Sequence, residues 1–100
     1  MVKKAGTAAD KVFYEKIWDN RKHVCYETGE FLGLEPRTYM FHHVLEKEKF
    51  PKFRHREWNV VLVTGDVHTL AHSNIDKTPR IKKLRAKLLK KYVYGSDNES

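Results

Sequence analysis

The sequence predicts an α+β fold in one small domain, and three observations carry that reading. Segments near both ends repeat their apolar residues at helical spacing. Two segments in the middle are β-branched and aromatic. At 100 residues and 40% hydrophobic, the chain suffices for one modest core and not for two.

In chain order, Thr7 caps a predicted helix over 7–20, where Ala8, Val12, Phe13, Ile17 and Trp18 recur near helical spacing and charged residues fill the gaps. Residues 23–26 and 30–32 flank Glu27, Thr28 and Gly29 and read as a short hairpin whose turn uses Gly29. Residues 37–45 and 58–64 read as a second strand pair, the latter closed by Gly65. Between them, residues 46–57 are charged and hold Pro51; Phe50 and Phe53 are their apolar anchors, which predicts a loop pinned at two points. Asp66 is the expected cap of a helix reaching about residue 76. Thr78 and Pro79 open a basic helix over 79–92 with Ile81, Leu84, Leu88, Leu89 and Tyr92 as its buried stripe. Residues 95–100 form a polar tail expected to fray.

The net charge of +7 favours a polyanionic partner, but it is unevenly placed. Residues 1–76 hold twelve basic and eleven acidic residues, a net of +1; residues 77–91 hold eight basic and none acidic; residues 92–100 add −2. The single cysteine, Cys25, rules out an internal disulfide and a multi-cysteine zinc knuckle. No apolar run approaches the roughly 18 residues of a spanning helix, and the start carries no secretory signal pattern, so a cytoplasmic, membrane-free protein is expected.

Six histidines are present, and four fall in a pattern. His42 and His43 are adjacent on a predicted strand, where neighbours point to opposite faces, so the two imidazoles are expected to do different jobs. Asn59 lies at the start of the next strand. His68 and His72 stand one turn apart on the helix that follows, a spacing at which two imidazoles can ligate one ion. A third ligand from the strand, His42, would leave coordination positions open for water and a phosphate oxygen. His23 and His55 lie outside the pattern, and Trp18 and Trp58 read as core residues.

The run FHHVLEKEKFPKFRHREWNVVLVTGDVHTLAH resembles the HNH endonucleases, whose ββα-metal unit carries a DH or HH pair on its first strand, Asn on its second and His on its helix. His43 to Asn59 is sixteen positions, Asn59 to His68 nine and His68 to His72 four; these spacings are most similar to those of the bacterial DNase colicins. The resemblance covers residues 39–74. It implies a ββα-metal core over 39–76 flanked by the terminal helices. In that reading His43 is the general base, Asn59 orients that imidazole or the loop beneath it, and His42 and His68 hold one divalent ion with His72 as third ligand or phosphate contact. Small stand-alone members of the family are often phage-encoded, which implies a bacterial or phage-infected cell. His42 where many members have Asp makes Zn²⁺, Ni²⁺ or Mn²⁺ as plausible as Mg²⁺. Cys25 and Thr28 resemble the remnant of a CxxC pair that in many members holds a structural zinc, so the terminal helices are expected to brace the unit instead.

The expected activity is hydrolysis of DNA phosphodiesters by nicking, from a monomer or weak dimer. Lys47, Lys49, Lys52, Arg54 and Arg56 in the loop, and Lys82, Lys83 and Arg85 on the last helix, are the expected phosphate contacts. The alternative is a non-catalytic nucleic-acid-binding module with a structural metal on the same scaffold.

Overall fold

The computed structural model describes residues 8–94. Within them lie three α-helices, α1 (Ala8–Asn20), α2 (Gly65–Ser73) and α3 (Pro79–Leu88), and a two-stranded antiparallel sheet of β1 (Phe41–His43) and β2 (Val60–Leu62). The register pairs Phe41 with Leu62, His42 with Val61 and His43 with Val60. Thr7 and the tail 95–100 lie outside the described residues.

Helix α1 buries Asp10, Phe13, Ile17 and Trp18, with Tyr14 half-buried, which is the i, i+3, i+4, i+7, i+8 stripe of an amphipathic helix. Val12 was expected on that stripe and is instead 66% exposed, because position 12 falls between its rows. Ala8 is exposed as well. Burial of a side chain such as Ile17 contributes about 2 kcal/mol, which is what holds the helix to the sheet.

The expected hairpin is reduced to one antiparallel bridge between Val24 and Phe31, and Gly29 takes φ 79° at its turn, a conformation that side chains disfavour. The turn docks on the sheet edge through Tyr26 N–H donating to the Leu62 carbonyl at 2.7 Å. Its Glu27 carboxylate then caps α3, accepting from the main-chain N–H of Arg80 (3.1 Å) and Ile81 (3.0 Å). Thr78, the expected cap, makes no side-chain capping bond; its hydroxyl donates to Ile75 O instead.

Both strands are shorter than the sequence suggests. Residues Thr38–Met40 and Glu57–Asn59 form 3₁₀ turns that lead into them. The intervening segment is anchored by buried Phe53 and half-buried Phe50 around a 3₁₀ turn at Pro51–Phe53. Thr64, not Asp66, caps α2: its side chain accepts from Val67 N–H at 3.2 Å, and the helix stops at Ser73 before a 3₁₀ turn at Ile75–Lys77. Helix α3 passes into a π turn, Leu89–Val93, with Ile81 and Leu88 buried and Leu84, Leu89 and Tyr92 packed against the core. Tyr92 stacks on Trp58 at 3.8 Å, joining the C-terminal turn to the start of β2. No helix among the described residues is long and apolar enough to cross a membrane.

Candidate metal centre and its surroundings

Strand alternation sends His42 and His43 to different neighbours, and that separation organises the site. The His42 ring lies 5.1 Å, centre to centre, from each of His68 and His72 on α2. One ring nitrogen from each of the three falls within 4.8 Å of the others, so the group could hold a metal ion.

The ring orientations suit that use. His68 Nδ1–H donates to the main-chain carbonyl of Tyr39, which can only accept, and this leaves His68 Nε2 as the unprotonated nitrogen. His68 Nε2 stands 3.1 Å from His72 Nε2. Two nitrogens on one tetrahedral ion, each about 2.1 Å from it, stand about 3.4 Å apart, close to that separation. His42 Nδ1 is buried and has no hydrogen-bond partner among the described residues, an expensive state that ligation would relieve.

Burial, reinforced by the neighbouring His68, His72 and His43 rings, pushes His42 down to about 3. Burial also lowers His68; the Tyr39 carbonyl opposes this, and the His72 and Lys47 charges add to it. Ligation requires neutral imidazoles, so these shifts keep His42 and His68 ready at neutral pH. They also give stability a sign. Since an unfolded histidine titrates near about 6.5 and folded His42 far lower, the unfolded chain binds more protons in between. The His42 contribution is therefore fully present above that unfolded value and lost as pH falls from there toward about 3. Metal-stripped protein is expected to lose up to about 1.4 kcal/mol per pH unit from this site below about pH 6.5. Thermal unfolding between pH 7 and 5 measures the loss, and equal losses in the unsubstituted protein and His42→Gln would remove His42 as the cause.

His43 is 7% exposed and lies on the side of α1, its ring edge-on to Tyr14 at 6.1 Å. Its Nε2–H donates to the Arg54 main-chain carbonyl at 2.8 Å, so in the neutral ring Nδ1 carries the lone pair. Burial lowers its pKa; the Arg54 carbonyl works against that, and the charges of Lys47 and Arg54 with it. A cavity of about 410 Å³ is lined by His43, Tyr14 and Phe41 together with His68 and His72 of the triad; His42 lies outside its lining. Lys47 and Glu46 also line it.

Asn59, 0% exposed, works on the loop. Its Oδ1 accepts from Leu45 N–H at 2.7 Å, and its Nδ2 donates to Leu45 O at 3.0 Å and Phe53 O at 3.2 Å. It staples the two ends of the segment between the strands, and none of these bonds goes to the His43 ring. Asn59→Ala leaves buried main-chain groups unpaired and is expected to cost about 2–4 kcal/mol by urea unfolding. A loss under about 1 kcal/mol would contradict that role.

The expected phosphate contacts divide. Lys49, Lys52, Arg56 and Lys83 are exposed, and Lys47 is half-buried at the cavity. Arg54 is paired with Asp10 at 2.9 Å, Arg85 with Glu46 through two bonds of 2.9 and 3.0 Å, and Lys82, also exposed, with Asp76 at 2.5 Å. The Arg85 bonds and charge outweigh the opposing effect of burial and hold the Glu46 carboxyl below its usual range. His23 stacks on Trp18 at 3.6 Å, and His55 pairs with Asp10 at 2.5 Å. Sequence reasoning missed Asp10, Tyr14 and the Tyr39 carbonyl. Asp10 did leave a signal: it is an acidic residue on the stripe shared by Phe13, Tyr14, Ile17 and Trp18.

The described residues thus form a small α+β domain with a three-histidine group able to hold a metal ion. Comparison of the chain with family models, curated proteins and solved structures found no match.

Proposed function

We propose that the chain is a metal-dependent endonuclease of the HNH kind that hydrolyses DNA phosphodiesters, using one divalent ion and His43 as general base. The observation that carries the proposal is the shared cavity. Two members of the metal-competent triad, His68 and His72, line it together with His43, a histidine whose tautomer is fixed by a carbonyl and whose other nitrogen bears a lone pair.

An ion held by the triad would supply charge stabilisation for the anionic phosphoryl and leaving oxygens. His43 Nδ1 accepts the proton of the attacking water as its oxygen bonds to phosphorus and the ester oxygen departs. His43 suits this task because it is held neutral and lies outside the triad. Lys47 at the cavity attracts the phosphate, and exposed Lys49, Lys52 and Arg56 extend the cationic surface along the loop. With one triad among the described residues, the product is a nick.

A binding module with a closed structural zinc needs four ligands. Among the described residues no fourth His, Cys, Asp or Glu joins the triad, which favours the open, catalytic arrangement. The test is nicking of supercoiled plasmid after EDTA stripping and addition of Mg²⁺, Mn²⁺, Ni²⁺ or Zn²⁺. Open-circular product with at least one ion supports the reading, and salt-sensitive DNA binding without product under all four favours the module.

A further inference from the structure

Helix α1 stands outside the run from β1 to α2, yet two of its residues one turn apart reach the surroundings of His43. Tyr14 stacks on Phe41 at 4.6 Å and forms the cavity wall beside the His43 ring. Asp10 is 3% exposed, an environment in which a carboxylate must be well partnered. Its partners among the described residues include the Arg54 Nη2 at 2.9 Å and the His55 Nε2 at 2.5 Å. Both belong to the short stretch after the Pro51–Phe53 turn, and Arg54 also supplies the main-chain carbonyl that accepts from His43 Nε2–H at 2.8 Å.

We infer that Asp10 is a positioning residue for His43: by gripping the Arg54 and His55 side chains it fixes the Arg54 carbonyl, and through it the ring and tautomer of His43. The inference rests on the reading of His43 as general base. It turns Arg54 from a phosphate contact into a strut, so that α1 completes the site from outside the strand pair. Stability alone gives weak reason for a carboxylate here, since buried ion pairs are often replaceable by apolar residues at no loss. Main-chain bonds at Pro51 and Phe53 and the Asn59 amide hold the loop from the strand side; Asp10 adds the hold from α1, and small misplacements of a reacting group are costly in rate.

The test uses the full chain carrying Asp10→Asn and, to avoid stranding the guanidinium, the charge-neutral pair Asp10→Asn with Arg54→Gln. Three quantities are read: exchange of the His43 Nε2–H in ¹⁵N-histidine-labelled protein, Zn²⁺ affinity, and plasmid nicking with and without His43→Ala. We expect imidazole N–H exchange at least ~10-fold faster, Zn²⁺ affinity within about twofold, and nicking lowered about 10–100-fold. In the His43→Ala background the same substitution should change the residual rate less than about twofold, because it acts through the ring that is gone. Unchanged exchange, or an equal fold-loss in both backgrounds, would overturn the inference. So would failure of both variants to fold, which would make Asp10 a stability element only. If the unsubstituted protein nicks no DNA, the nuclease reading fails, and the exchange measurement still decides whether Asp10 holds His43.

Discussion

Replacing His43 with alanine is expected to lower plasmid nicking by about 10²–10⁴-fold while leaving Zn²⁺ affinity within about twofold. The separation of the two effects follows from the strand. His42 faces the α2 histidines, and His43 faces α1 and the Arg54 carbonyl, so loss of the second imidazole removes a proton acceptor without touching the triad. Burial lowers the pKa of its ring below the ordinary histidine value, so the rate should hold between pH 7 and 8 and fall only as pH drops into the range where His43 is protonated. Quantitative nicking assays paired with metal titration check both halves. A variant that still cuts at the original rate would assign the base elsewhere.

His68→Ala should have the opposite profile and the larger effect on metal. Loss of an outer partner of a ligand typically costs about 10–100-fold in affinity, so loss of one of three ligands should exceed about 100-fold. Metal at about 100 times its dissociation constant stabilises the folded chain by about 2.7 kcal/mol, which at this size raises Tm by about 10 °C or more. That rise should appear in the unsubstituted protein and vanish in His68→Ala. An unchanged rise would place the ion at other residues.

Much of this architecture was legible locally. The stripes of α1 and α3 are written in their own spacing, the hairpin turn in Gly29, and the triad in an HxxxH helix preceded by an HH strand. What escaped is long-range. Glu27 caps α3 from 53 residues away, Asp10 meets Arg54 across 44, and Tyr39 orients His68 across 29 through a main-chain carbonyl that no side-chain pattern encodes. The loop cations read alike in sequence, yet Arg54 bonds a buried carboxylate while Lys49, Lys52 and Arg56 are exposed. Local patterns also overextended the strands, because Met40 and Asn59, one buried at each strand entry, belong to 3₁₀ turns.

Taken together, the triad, the cavity and the carbonyl-held imidazole make one claim, that a metal ion and His43 act on the same phosphodiester. The most direct measurement is single-turnover nicking of supercoiled DNA by metal-stripped protein, with bound metal quantified in the same samples for the unsubstituted chain, His43→Ala and His68→Ala. The account predicts nicking that rises with occupancy in the unsubstituted chain, full occupancy without nicking in His43→Ala, and neither in His68→Ala. Nicking by His43→Ala at full rate, or by the stripped chain without added metal, would contradict it.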